Sequence, residues 1–190
     1  MTQLHAAEKV VLDRDEVARA IVRMAHEVVE RNTDPASTLA IVGIHSRGVP
    51  LAARLHAQVS ELLEAPVALG SLDIAFHRDD LGRRRQAPIV HATEIDFALD
   101  GATVVIVDDV LFTGRTVRAA IDALFEYGRP ARVQLATLVD RGHRELPIRP
   151  DYVGKNLPTS LSERVNVSLS ELDGSDQVTI GVATNGEVVV

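Results

Sequence analysis

Val104–Thr116, VVIVDDVLFTGRT, is the stretch on which the reading of this chain turns. Val104 to Val107 are all apolar and β-branched, the composition of a strand buried on both faces in a parallel sheet. Asp108 and Asp109 follow at its carboxyl end, where ligands bind in open α/β sheets. Adjacent carboxylates after an apolar run are costly without partners. The vicinal hydroxyls of a ribose are such partners, because each can donate to a carboxylate. Val110, Leu111 and Phe112 lead to Thr113, Gly114, Arg115 and Thr116, which read as a tight turn into a helix. Its free N–H groups, two hydroxyls and helix dipole favour a phosphate. A diol reader beside a phosphate cradle matches a ribose 5-phosphate. Two solvated acids before an ordinary capped helix would explain either half alone, but not well both within 13 residues. No Gly-Lys-Ser/Thr follows the glycine, so a P-loop fits poorly, as does a dinucleotide fold without GxGxxG.

The flanking segments give the same architecture. Asp13 and Glu16 predict a capping box, and Val17, Ala20, Ile21, Met24, Ala25, Val28 and Val29 form the apolar stripe of the helix that follows. Arg19, Arg23, His26 and Glu30 occupy another stripe. Thr38–Ile44 reads as a buried strand, His45–Gly48 as a turn, and Pro50 as the opening of a helix through Leu63. A second strand is expected at Val67–Phe76, then a long polar stretch from Arg78 to Asp100 containing RDDLGRRR. Loops of that length tend to be functional. Thr103–Val110 is the third strand, Thr116–Tyr127 a helix ended by Gly128 and Pro130, and Val133–Val139 the fourth strand. Arg141–Ser160, rich in Pro and Arg, reads as irregular. Val165–Leu172 and Val178–Val182 are expected as final strands around the turn Asp173–Asp176. The expectation is one α/β domain over residues 1–190, with a mostly parallel, doubly wound sheet flanked by helices.

Composition excludes several classes. The 190 residues include no Cys, so thiolate metal sites, disulfides and Cys catalysis are absent. No apolar run approaches the ~20 residues of a membrane helix, and no secretion signal is visible. The reading is of a cytoplasmic protein without a membrane partner. A net charge of −7 argues against nucleic-acid binding by the whole surface but leaves a local basic face open.

VVIVDDVLFTGRT resembles the signature that binds phosphoribosyl pyrophosphate (PRPP) in type I phosphoribosyltransferases. RMAHEVVERN (23–32), VGIHSRGVPLA (42–52), FHRDDL (76–81), DDVLFTGRTVRAA (108–120) and LVDRGHRELPIRPDYVGKN (138–156) are similar to the PyrR family in particular. The resemblance runs from about Val10 to Val182, and Asp140–Asn156 narrows it to PyrR. His45 and Phe112 stand where Thr and Tyr are commoner.

The resemblance implies the type I phosphoribosyltransferase fold, with a mobile flap at about 77–101 and a small base-covering region. The tail 183–190 is left without a role. It implies a bifunctional protein. One activity converts uracil and PRPP to UMP and pyrophosphate. The other regulates pyrimidine biosynthesis genes by binding their leader mRNA in response to UMP or UTP. Mg²⁺ is carried on the PRPP oxygens, with no metal site of the protein's own. Asp108 and Asp109 are assigned to the ribose hydroxyls and, with Arg78 and Asp79 of the flap, to catalysis. Val110 to Thr116 are assigned to the ribose 5-phosphate, and Ser46, Arg47 and Gly48 to pyrophosphate. Arg141 and Val165 are placed near the base. RNA contacts map to Arg19, Arg23, His26, Arg31, His143, Arg144, Arg149 and Lys155, and assembly to a homodimer or tetramer. By themselves, Ser46–Gly48 also suit an ordinary turn, RDDLGRRR a solvated loop, and the Arg19 stripe a solvated helix face. A nucleotide sensor without turnover and a plain nucleobase salvage enzyme are the competing readings.

Overall fold

The computed structural model describes residues 8–34, 38–79 and 90–182. Strand β1 (Lys9–Leu12) leads into helix α1 (Arg14–Arg31). Asp13 caps α1 reciprocally: its carboxylate accepts from the Glu16 amide at 2.8 Å, and the Glu16 carboxylate accepts from the Asp13 amide at 2.9 Å. The predicted capping box is therefore present, and Val17, Ala20, Ile21, Met24, Ala25 and Val28 are the buried stripe.

Five parallel strands make the main sheet: β2 (Leu39–Ile44), β3 (Ala68–Leu72), β4 (Thr103–Leu111), β5 (Arg132–Asp140) and β6 (Tyr152–Asn156), in the order β3-β2-β4-β5-β6. Alternate residues of the central strands feed two cores. Ile41, Val105, Val107 and Leu138 pack with α1 and with α2 (Gly48–Leu63). Val42, Ile44, Val104 and Ile106 pack with α3 (Arg115–Leu124) on the other side. Helices thus cover both faces, which is why the strands read as continuous apolar runs. Chain order reverses between β2 and β4, and the crevice beyond their carboxyl ends is where a ligand site is expected.

A second sheet, β1-β8-β7, is antiparallel and caps one end of the first; β7 is Glu163–Ser168 and β8 is Gln177–Val182. Val165, Val167, Leu169 and Val178 anchor this hood in the core shared with α1 and α2. Between β7 and β8 lies a single helical turn, α4 (Ser170–Asp173).

Several boundaries differ from the sequence reading. β3 ends at Leu72 rather than Phe76, because Asp73 turns the chain: its carboxylate accepts from the amides of Ala75 (2.8 Å) and His91 (2.5 Å). α2 begins at Gly48, two residues before Pro50. The expected strand Val165–Leu172 stops at Ser168 and becomes α4. Arg141–Ser160 is not wholly irregular, since Tyr152–Asn156 adds β6 to the sheet. β6 is an edge strand, with Tyr152 buried and Lys155 and Asn156 exposed, too short and mixed to show a period. Residues 80–89 of the expected flap, and the tail, lie outside the described residues. Residues from His91 on are pinned: Ser71 and Glu94 exchange two 2.9 Å backbone bonds, and Leu99 is buried.

Candidate active site

The site forms where β2 and β4 end side by side. β2 passes through His45 and Ser46, joined by a cis peptide bond, into α2. The backbones approach too closely for side chains. A Cβ on Gly48 would lie 2.3 Å from the Val107 carbonyl oxygen, and one on Gly43 would lie 2.5 Å from the Gly48 carbonyl oxygen. Both glycines are therefore required by contact, and the contact sets the Ser46–Gly48 turn directly against Asp108. Ser46 is exposed, Arg47 half-buried and Gly48 buried.

Asp108 is 7% exposed, and Asp109 is more accessible. Each carboxylate accepts one backbone bond, Asp108 from the Asp109 amide at 2.9 Å and Asp109 from the Val110 amide at 2.8 Å. Burial, and then the neighbouring Asp109 charge, raise the pKa of Asp108 well above the ordinary carboxylate value, with Arg78 a smaller opposing influence. Asp109 is also raised by burial; the Val110 amide, Asp108 and then the Arg47 charge act against that rise. The pair is thus short of donors and positive charge, a deficit that a diol with an associated cation would relieve.

The turn after β4 has the expected form. Gly114 takes φ +93°, a left-handed conformation suited to glycine, and no side chain caps α3. Apart from the Arg115 amide, which donates to the Thr113 hydroxyl at 3.4 Å, its amino end is thus open to an anion. Only part of Val110–Phe112 faces the site. Leu111 is 1% exposed and belongs to the α3-side core, so a ligand role for it falls to the backbone. Val110 packs partly on the other core.

The Thr113–Thr116 turn, the candidate phosphate cradle and named the phosphate turn for that expectation, has as its second wall the segment between β5 and β6. The amides of Glu145 and Leu146 both donate to the Thr113 carbonyl, at 3.0 and 3.1 Å. Arg115 projects outward, its guanidinium bonded to Asp79 at 2.5 Å and Glu145 at 2.7 Å. Asp79, at the edge of the expected flap, is thus an ion-pair partner of the phosphate turn, and it also lies 3.8 Å from Arg118.

Arg141 is 3% exposed and donates to the Thr159 hydroxyl (3.1 Å) and the carbonyls of Ser160 (3.2 Å) and Glu163 (2.6 Å). Its guanidinium carbon lies 4.2 Å from the Phe112 ring centroid, so it joins the phosphate turn to the loop before β7. Val165 is buried in the hood, opposite Ile180.

The eight candidate RNA contacts separate into two groups. Arg19, Arg23, His26 and Arg31 are exposed on α1. Arg23 bonds the Val153 and Gly154 carbonyls at 3.0 and 2.6 Å, and Arg31 bonds Asp151 at 3.2 Å. These contacts join α1 to β6, so exposed Lys155 of β6, and Arg149 just ahead of that strand, extend the face. His143 and Arg144 lie instead beside the phosphate turn. His143 meets the Thr159 carbonyl at 2.6 Å. Arg144 bonds Asp140 and the carbonyls of Phe112, Gly142 and Ile148. Its guanidinium organises the loop.

Sequence reasoning named Arg47 but missed its partners, and it missed the pairing of His45 with His91. Arg47 donates to the Val167 carbonyl at 2.7 Å and to Asp173 at 3.1 Å, both in the hood. The His45 ring stacks on His91 at 4.5 Å, and its Nε2 has no hydrogen-bond partner among the described residues. These pairs are far apart in sequence and carry no local signal. Among the described residues there is no cluster of three or more metal-ligating side chains, and no helix is long and apolar enough to cross a membrane.

The family of phosphoribosyl transferase domains matches residues 9–171. A protein named bifunctional protein PyrR from Roseiflexus sp. (strain RS-1) is 59% identical over 167 residues, covering 88% of this chain and 91% of its own. The chain belongs to the PyrR family. A PyrR from Chloroflexus aurantiacus is 58% identical, covering 91% of this chain and 94% of its own, and one from Deinococcus deserti is 56% identical, covering 92% and 95%. Among solved structures, the hypoxanthine phosphoribosyltransferase of Trypanosoma cruzi superposes with a TM-score of 0.69 at 18% identity, covering 94% of this chain and 98% of its own. At that identity the likeness carries the type I phosphoribosyltransferase fold alone. PyrR membership agrees with the narrowing that Asp140–Asn156 implied.

Proposed function

We propose that this protein transfers the phosphoribosyl group of PRPP to uracil, releasing pyrophosphate and UMP, and that uridine nucleotides in the same pocket govern its binding to the leader mRNA of pyrimidine biosynthesis genes. The observation that carries the first half is the buried acid pair set between the Ser46–Gly48 turn and the uncapped start of α3. A molecule with a 5-phosphate, a diol and a pyrophosphate would meet all three.

In the transfer, the bond from ribose C1 to the pyrophosphate oxygen breaks, the bond from C1 to uracil N1 forms, and the N1 proton is lost. Positive charge develops at C1, so the protein contributes positioning and electrostatics rather than a nucleophile. Asp108 and Asp109 hold the ribose hydroxyls, and the Thr113–Thr116 backbone holds the 5-phosphate. Arg47 and the turn amides face the leaving group, with Arg78 and Asp79 at the open edge. Mg²⁺ brought in on PRPP would supply positive charge to the pyrophosphate. The Asp108 and Asp109 carboxylates are the groups that would meet it, and their shortage of positive charge suits that role. Arg141 positions the wall nearest the base.

For regulation, the joined α1–β6 face with Arg19, Arg23, His26, Arg31, Arg149 and Lys155 is the surface that suits RNA phosphates. His143 and Arg144, tied to the phosphate turn, connect that function to the pocket. A cytoplasmic location and assembly as a homodimer or tetramer belong to the same reading. Radiolabelled uracil with PRPP and Mg²⁺ tests the first half: UMP above background is expected, and none would leave a sensor without turnover. Leader-RNA binding with and without UMP tests the second, and equal affinity in both would refute the coupling.

A further inference from the structure

The hood is fastened to α2 by two arginines of different character. Arg54 bonds Glu171 at 2.8 and 2.5 Å, Asp176 at 2.8 Å and the Ser170 hydroxyl at 2.9 Å. Asp176 is nearly buried and also accepts from the Ser170 amide at 2.7 Å. Arg54 is thus held by two carboxylates and a hydroxyl at once. Arg47, two turns earlier, donates to the Val167 carbonyl at 2.7 Å and makes a looser ion pair with Asp173: its side chain is 39% exposed and that of Asp173 is 30% exposed, at 3.1 Å. Asp173 keeps a separate partner, the Leu169 amide at 2.9 Å, so the turn need not unravel if Arg47 leaves. The adjoining Gly48 abuts Val107 and Asp108, so Arg47 stands where the acid pair and the hood meet, and its charge acts on Asp109.

We propose that Asp173 is a positioning residue that competes with pyrophosphate for Arg47, so that the hood is latched to the Ser46–Gly48 turn while the pyrophosphate half of the site is empty and released when that half fills. The proposal rests on the phosphoribosyl-transfer reading. A half-exposed ion pair contributes little to stability and exchanges partners easily. Pyrophosphate against the turn amides offers several negative charges where Asp173 offers one. The leaving-group half of the site is thereby linked to the hood over the base half. UMP, which has no pyrophosphate, leaves the latch closed, whereas PRPP opens it. One pocket then has two distinguishable occupied states.

Calorimetric titration of Mg²⁺-pyrophosphate into the full chain tests this. Asp173→Asn removes the competitor and should tighten pyrophosphate binding by about two- to five-fold, while UMP affinity stays unchanged. Glu171→Gln removes the same charge from the Arg54 fastener and should give no gain. In an Arg47→Met background, Asp173→Asn should have no effect. Unchanged or weaker pyrophosphate binding in Asp173→Asn overturns the proposal. So does an equal gain in Glu171→Gln, or a gain that survives in Arg47→Met. In the wild-type protein, amide exchange across residues 169–174 should quicken when Mg²⁺-pyrophosphate is added; unchanged exchange refutes the latch without any variant. Wild-type protein that binds neither PRPP nor pyrophosphate defeats the transfer reading itself, whereas equal binding by wild type and Asp173→Asn defeats only the latch.

Discussion

Gly48→Ala sets two effects of opposite sign against each other. Gly48 opens α2, and alanine is favoured over glycine in a helix by about 1 kcal/mol, so propensity alone predicts a more stable protein. The added Cβ would lie 2.3 Å from the Val107 carbonyl oxygen, about 0.7 Å inside the 3.0 Å that real Cβ contacts respect, with Asp108 Cα at 3.4 Å. Val107 is in register with Gly43 of β2 and Ala136 of β5, so the sheet cannot yield and the start of α2 must move. Overpacking of this kind costs roughly 1–3 kcal/mol, which outweighs the propensity gain. The larger effect falls on the reaction, because Ser46 and Arg47 move with the helix and away from Asp108 and Asp109. Misplacement by about 1 Å costs on the order of a hundred-fold in rate. Steady-state kinetics with uracil and PRPP, beside urea denaturation, should show kcat/KM down by one to two orders of magnitude, and lower stability. Gly142→Ala is the comparison: φ is +79° and nothing lies within 4 Å of the added Cβ. It should lose about 1 kcal/mol through backbone strain alone and leave the PRPP kinetics unchanged. A Gly48→Ala protein with wild-type kcat/KM and equal or higher stability would refute the steric account of the site.

Four further outcomes are expected. Asp108→Asn and Asp109→Asn should each sharply reduce PRPP use; unchanged kinetics would show that the ribose lies elsewhere. Asp108 holds its proton more tightly folded than unfolded, so its contribution to stability is full below the unfolded value, about 4, and is lost as pH rises through the higher folded value. Thermal melts of the ligand-free protein across that window should therefore decline more steeply for wild type than for Asp108→Asn, and parallel declines would contradict the assignment. Arg144→Ala strands three carbonyls and the partly buried Asp140 carboxylate, and should cost about 2–3 kcal/mol in urea denaturation; a loss near zero would mean the loop stands without it. If the α1–β6 face binds RNA phosphates, Arg19→Ala should weaken leader binding and flatten its dependence on salt, and an unaltered salt slope would remove Arg19 from the interface.

What could be read in advance was whatever one segment specifies alone. The α1 cap, its apolar stripe, the buried β4 run and the turn into α3 each depend on residues within a few positions of one another. The layout of Asp108–Thr116, two acids at a strand end and a glycine turn into a helix, was visible for the same reason. Strand β6 was hidden because its partner lies in β5 and its five residues include a glycine and two exposed polar positions. The hood strand β7 was drawn too long because Leu169 is buried whether it continues a strand or starts α4. Arg144 was named only through the family resemblance; nothing in the residues around it announced its bond to the Phe112 carbonyl, 32 positions away, which ties its loop to the turn after β4. Nothing near Arg47 or Asp173 in sequence announces their 3.1 Å pairing, since it depends on the hood's return across α2.

The two amide bonds from Glu145 and Leu146 to the Thr113 carbonyl make the phosphate turn and the segment after β5 a single object in two pieces of chain. A Cβ on Gly114 would already be in ordinary contact with Leu146 and Ile148, so the second piece is moulded to the glycine of the first. Neither piece can be transplanted alone: a graft of TGRT into another scaffold would carry the amides for phosphate but not the brace that keeps the Thr113 carbonyl in place. If residues 141–151 set base preference, as the proposed function has it, a redesign there reshapes the turn at Thr113 as well, and the two properties should change together.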